Sequence, residues 1–182
     1  MQKFRKKIAR LRFFATRSGP SLALILALWA CKPVQEVEVP THSVADQELD
    51  AAFEKGVLVI EASAYACYRF DVYVATSREQ QARGLMAVRK IPAMTGMLFI
   101  YDFVATHSMW MKNTLIPLDM VFARQDGTVS SVAHGTEPHS LQSIASIEPV
   151  AYVLELNAGT AARLFIDENS RLIWESANRD DE

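Results

Sequence analysis

From Val57 onward the sequence breaks into short runs rich in Val, Ile, Tyr and Phe, separated by Gly, Pro, Asn, Asp and Ser, and this punctuation restricts the fold more than any other feature. Runs this short suit strands and fall below the length of ordinary packed helices. The pattern predicts strands near Val57 to Ala62, Tyr68 to Ala75, Met97 to Tyr101, Ser108 to Lys112, Asp119 to Arg124, Thr128 to Ala133, Val150 to Leu156 and Leu172 to Glu175. Phe70, Val72 and Val74 alternate with Arg69, Asp71 and Tyr73, so one face of that strand is expected to be buried and the other wet. Asp126-Gly127 between two runs is a hairpin signal. The expected fold class is mainly β, a single jelly-roll-like β-sandwich or barrel with one or two short helices.

Helical signals are few and local. Ser77 and Gln80 have capping-box spacing ahead of a helix to Arg83, and Gly84 follows where a left-handed cap is wanted. A second short helix is expected over Ala158 to Phe165 with Asn157 as its N-cap. Another is compatible with Asp46 to Lys55, closed by Gly56.

The N-terminus has a different character. Seven basic residues (Lys3, Arg5, Lys6, Lys7, Arg10, Arg12, Arg17) and no acidic one precede the apolar run Ser21 to Ala30, which ends at Cys31. That order is the order of an export signal. A run of about ten apolar residues is half of what a membrane-spanning helix needs, so cleavage fits better than a permanent span. Leu28-Trp29-Ala30-Cys31 resembles a lipobox, which implies cleavage before Cys31 and lipidation of its thiol; cleavage by the ordinary signal peptidase, giving a plain secreted protein, is the alternative. The expected division is a signal peptide at 1–30, a lipidated N-terminus, tether and short helix at 31–56, and the β domain at 57–182, anchored on the extracytoplasmic side of a bacterial membrane.

Losing those seven cations leaves 12 Lys and Arg against 21 Asp and Glu, a formal charge of −9. Such a balance excludes the broad basic footprint that nucleic acid requires, and it makes covalent anchoring a better membrane mechanism than attraction to anionic lipid. With Cys31 lipidated, Cys67 has no internal disulfide partner and is expected as a small buried hydrophobe beside Tyr68.

Three segments concentrate reactive side chains: Arg83-Gly84-Leu85-Met86 with Arg89, Gly96-Met97-Leu98-Phe99, and Trp110-Met111-Lys112-Asn113-Thr114 running on to Ile116-Pro117-Leu118-Asp119. With Tyr152 to Gly159 downstream, they resemble the bacterial and archaeal family known as domain of unknown function 192 over roughly Phe70 to Gly159. The resemblance implies a compact, mainly β domain of jelly-roll-like type and brings no activity. After Gly159 the residues Thr160 to Asn169 depart from the family's glycine- and valine-rich ending.

The residues themselves leave several readings open. Lys112 and Asp119 flank one loop and are placed to pair across it in a satisfied polar network. In the functional reading, Arg83, Arg89, Lys112 and Asn113 converge on a pocket for a small anion or an acidic envelope glycan or peptide, with Asp119 orienting a cation; their convergence is implied by the resemblance alone. That reading makes the chain a binding or accessory module of the cell envelope rather than an enzyme, with no cofactor. The alternatives are an envelope-acting enzyme using Lys112 or Asp119 as acid or base, a purely structural lipoprotein, and Cu(I) binding through His107, Met109 and Met111.

Overall fold

The computed structural model describes residues 44–63 and 66–174, so Cys31, the export-like segment and Glu175 lie outside the described residues. Its elements are helices α1 (Val44–Ala52), α2 (Arg78–Arg83) and α3 (Thr160–Leu164), and strands β1 (Glu54–Ala62), β2 (Ala66–Ala75), β3 (Thr95–Ala105), β4 (Ser108–Met109), β5 (Leu118–Ala123), β6 (Val129–Thr136), β7 (Ile144–Ala145), β8 (Val150–Asn157) and β9 (Arg171–Trp174). Seven strands form one sheet in the order β6-β5-β8-β3-β2-β1-β9, and β4 pairs with β7 in a separate ribbon. Only the β2–β3 pair of the large sheet is parallel.

The sheet curls until its two edges meet. Thr128 bridges Arg171, Val129 N–H donates to the Ser170 carbonyl at 2.9 Å, and Leu172 N–H donates to the Gly127 carbonyl at 2.8 Å. Those bonds give β6 and β9, the two edge strands, partners at one end and remove part of the exposed ladder that an open sheet leaves. The fold is the mainly β, barrel-type architecture that the strand pattern predicted.

Alternation along the strands sorts the core into two layers. Leu58, Phe70, Leu98, Val121, Val129, Leu154 and Leu172 belong to one cluster that draws on all seven strands, and α3 seals it with Ala161 and Leu164. This is the inside of the curl. The second cluster lies on the outside of the central strands, where Met97, Phe99, Met120, Phe122 and Val153 are covered by Leu49 from α1, by Phe53 just after it, and by Leu85, Val88, Ile91 and Met111 from loops.

The local signals fared unevenly. The capping box of α2 forms as predicted, with Gln80 N–H donating to Ser77 Oγ at 3.2 Å and Ser77 N–H donating to Gln80 Oε1 at 3.1 Å. Asp126-Gly127 makes the β5–β6 turn, with Gly127 at φ +84°. Asn157, however, does not cap α3. It stays in β8 and gives its Nδ2 to the carbonyls of Ile91 and Pro92. Tyr73 is buried rather than wet, because the Phe53 ring packs edge-on against it and Asp50 accepts its hydroxyl proton at 2.8 Å. The strand expected at Ser108 to Lys112 stops at Met109, where Met111 N–H turns to the Ser140 carbonyl at 3.1 Å. Cys67 is exposed rather than buried.

Candidate functional site

Three loops are tied together on the outer face. Ala87 N–H donates to the Asn113 carbonyl at 2.9 Å, Met86 bridges Thr114, and His139 N–H donates to the Thr114 carbonyl at 3.1 Å. Each loop carries a non-glycine residue with left-handed backbone: Ala87 at φ +62°, Asn113 at +56° and His139 at +62°. Such residues cost on the order of 1–3 kcal/mol each and persist where the surroundings impose them. Here they account for three of the four among the described residues, and all three meet around Asn113-Thr114.

The predicted site residues distribute around this junction unequally. Asn113 and Lys112 stand exposed on the middle loop, with Lys112 Nζ 5.2 Å from the centre of the Trp110 ring. Arg89 is exposed on the Ala87 loop. Arg83, at the end of α2, turns toward α1, where it pairs with Glu48 at 3.6 Å and lies over the Phe53 ring. A shallow concavity is lined by Arg83, Met86 and Ala87 with Glu48, Ala51 and Ala52, and neither Lys112, Asn113 nor Arg89 lines it. The loops are therefore brought together, but Arg83 turns away to Glu48, leaving Lys112, Asn113 and Arg89 exposed as a rim on the joined loops rather than lining one pocket.

Asp119 is not part of that rim. Leu118 and Met120 face the outer cluster, so Asp119 points to the inside of the curl, where it is fully buried. Its Oδ1 accepts the Gly135 N–H and its Oδ2 the Ala161 N–H, both at 2.9 Å. Ala161 lies in the first turn of α3, so Asp119 supplies the cap that Asn157 was expected to provide. The expected Lys112–Asp119 pair does not form; the sheet separates them.

The outer face holds a second buried carboxyl, Glu155. Its cross-strand neighbours are Met97 and Met120, both fully buried, and Oε2 has no hydrogen-bond partner among the described residues. Burial pushes its carboxyl up to about 8. The Tyr101 hydroxyl is raised to about 12, first by its own burial and then by the Glu155 charge. Above Glu155 sits Gly84, where an added Cβ would lie 3.2 Å from Phe99 Cζ and 3.9 Å from Glu155 Oε2. Thus the Arg83-Gly84-Leu85 motif roofs a buried acid, and only glycine combines φ +47° with so close an approach.

The DUF192 family, described as "Uncharacterized ACR", matches the chain over residues 59–174. The chain belongs to this family. The match runs past Gly159 through β9. Among curated proteins, none matches at a significant level. Two solved structures resemble this DUF192 chain. One is a Sinorhizobium meliloti protein described as a candidate transcription regulator, at 40% identity and TM-score 0.65, covering 66% of this chain and 94% of that one. The other is a Novosphingobium aromaticivorans protein of unknown function, at 28% identity and TM-score 0.66, covering 69% and 89%.

Within this DUF192 domain the proposed copper ligands separate. Met111 is in the core with its sulfur 3.1 Å from Thr136 Oγ1, whereas Met109 accepts the Tyr101 hydroxyl at 3.3 Å and His107 stacks on the Tyr101 ring at 3.5 Å. Among the described residues no three His, Cys, Asp or Glu side chains are grouped for a metal. Sequence reasoning did not single out Glu155. A usable signal for Glu155 was present, since it is the one charged residue in the otherwise apolar run Val150 to Leu156.

Proposed function

We propose that this DUF192 protein is exported, anchored to a bacterial membrane through lipid on Cys31, and serves as a non-catalytic binding module for an acidic ligand of the cell envelope. The observation that carries the binding part is the junction of strained loops at Ala87, Asn113 and His139, locked by main-chain bonds and carrying Lys112, Asn113 and Arg89 outward. Backbone strain of this kind concentrates at ligand-binding places, and fixed loops spare a ligand the entropy of ordering them. Lysine, arginine and an asparagine amide supply hydrogen-bond donors, two of them charged, for carboxylates or phosphates. A rim suits a ligand larger than a single ion, such as an acidic glycan or peptide.

The anchor rests on the seven cations, the short apolar run and Leu28 to Cys31. An enzyme that pairs Lys112 with Asp119 is disfavoured, because Asp119 is fully buried inside the curl while Lys112 is exposed on the outer loops. Nucleic-acid binding, suggested by the description of the Sinorhizobium protein, is disfavoured by the formal charge of −9 beyond residue 30.

Two measurements test the reading. Intact mass spectrometry of the membrane-extracted protein is expected to show a chain starting at Cys31 with added acyl groups, and an unmodified Cys31 removes the anchor. Titration with an acidic muropeptide is expected to shift the amide resonances of Ala87, Lys112, Asn113 and His139, with Lys112→Ala weakening binding about tenfold, the loss of one charged hydrogen bond. Shifts scattered away from the three loops, or none at all, remove the binding face.

A further inference from the structure

Strand β9 outruns its partner at the seam of the curled sheet. Among the described residues, the last main-chain bond across that seam is Leu172 N–H to the Gly127 carbonyl; there the partner turns away through Asp126 and Gln125, whereas β9 continues through Ile173 and Trp174. The gap opens into the inside of the curl as a concavity of about 240 Å³. Its floor is Leu58 and Leu98, both buried members of the inner cluster. Tyr152 and Trp174, half-buried against that cluster, line it as well. Gly56 makes room for the indole, because a Cβ there would collide with the Trp174 ring. The register sets this opening opposite α3: β5 and β8 pair Ala123 with Tyr152 at one end, and Asp119, which caps α3, with Leu156 at the other.

The lip of this notch is polar and balanced in charge. Asp126 Oδ1 accepts the Thr128 N–H at 2.9 Å, and that bond, helped by the Thr128 side chain, holds the carboxyl below the usual carboxylate range. Arg171 donates its Nε–H to the Asp126 carbonyl at 3.0 Å, which leaves both Nη groups without a hydrogen-bond partner among the described residues. The exposed Gln125 amide lines the same lip. An anion placed there meets Asp126, and a cation meets Arg171. A neutral ring edged with hydroxyls incurs neither penalty, because a hydroxyl donates to a carboxylate and accepts from a guanidinium or an amide. Its C–H faces suit aromatic walls and a leucine floor. The volume leaves room for a single ring and falls short of the about 300–1,000 Å³ of sites for drug-sized ligands. We infer that the notch between β9 and the β5–β6 turn binds one neutral sugar residue, packed on Tyr152 and Trp174 and hydrogen-bonded to Gln125, Asp126 and Arg171. The inference uses neither the Lys112–Asn113 rim nor lipid on Cys31, so its fate and theirs are separate.

Titration with methyl β-glucopyranoside and with methyl β-N-acetylglucosaminide, followed in proton–nitrogen correlation spectra, reads the notch directly. At least one of the two is expected to give saturable, millimolar shifts of the Trp174 indole N–H, the Gln125 side-chain amide and the Gly127 amide. Asp126→Asn retains the acceptor for Thr128 N–H, and Gln125→Ala changes only an exposed turn; each is expected to weaken binding about three- to tenfold, the loss of one hydrogen bond, with the rest of the spectrum unchanged. Variants that bind like the wild type overturn the role of the lip and the assignment with it. Cyclohexanol moving the same resonances with equal affinity makes the notch a plain apolar recess, and a glucuronide binding there more tightly than the glucoside makes it an anion site; either result overturns the inference. No shift at the three resonances with either sugar, or shifts confined to Lys112 and Asn113, also overturns it.

Discussion

The inner and outer faces of the sheet each bury one carboxyl group, on neighbouring strands, and treat it in opposite ways. Inside the curl, Asp119 on β5 has both oxygens matched to backbone N–H groups, from Gly135 on β6 and from the first turn of α3. Outside it, Glu155 on β8 is held between Met97 and Met120 with an orphaned Oε2. The first is a fastener, whose charge joins a helix to a strand pair. The second is a liability, since burial favours its protonated form, and it lies directly beneath the loop that starts the candidate binding face. Burial alone therefore does not tell a structural acid from a functional one; what its oxygens meet does.

Replacement of Asp119 by Ala should give the largest effect. The buried Ala161 N–H and the part-buried Gly135 N–H lose a carboxylate acceptor, each loss being worth about 1.5–3 kcal/mol, so denaturant unfolding should report about 4 kcal/mol of destabilisation, with α3 amides exchanging first. A loss below about 1 kcal/mol would mean that water replaces the carboxylate easily and that the contrast between the faces is superficial.

Glu155 should reveal itself through pH. Its carboxyl is raised from 4.5 to about 8 in the folded state, so between those values the native chain holds a proton that the unfolded chain has released. Stability should be fully present below about pH 4.5 and decline as pH rises toward 8, by roughly 3 kcal/mol between pH 4.5 and 7 at about 1.4 kcal/mol per unit. Glu155→Gln should flatten that slope. A wild-type stability that climbs over the same range would show that Oε2 finds a partner.

The smallest effect is expected at Lys112. Its contact with the exposed Trp110 ring is worth about 0.5–1 kcal/mol, so Lys112→Ala should lower the unfolding free energy by less than about 1 kcal/mol. A larger loss would make the rim part of the fold's fastening, like Asp119, instead of a surface left for something else.

What could be read from the sequence divides along the same line. Features set by a few neighbouring residues were legible: the Ser77–Gln80 box, the Asp126-Gly127 turn, and the strands themselves to within a few residues. Features set by what covers a strand were not. Period-two alternation puts Glu155 on one face with Val153, but nothing in Val150 to Leu156 announces that α1 and the Leu85–Ile91 loop roof that face. Tyr73 was read as wet for the same reason. Asp119 and Lys112, seven residues apart across one loop, look like partners, yet the pleat sends Asp119 inward while Leu118 and Met120 go outward. Strand β7 is only Ile144–Ala145, and its pairing with Ser108–Met109 is what makes it a strand at all.

The joining of the sheet's edges by β9 bears on the order in which the protein can be made. A ribosome, or a channel threading the chain N-terminus first, delivers β1 through β8 before residues 170–172 arrive to bond Gly127 and Val129. Until then both margins of the sheet lack the partners they finally share, so completion of the domain waits on its last strand. Such a delay keeps a polypeptide loose enough to be threaded, and ties the moment of closure to the moment of arrival.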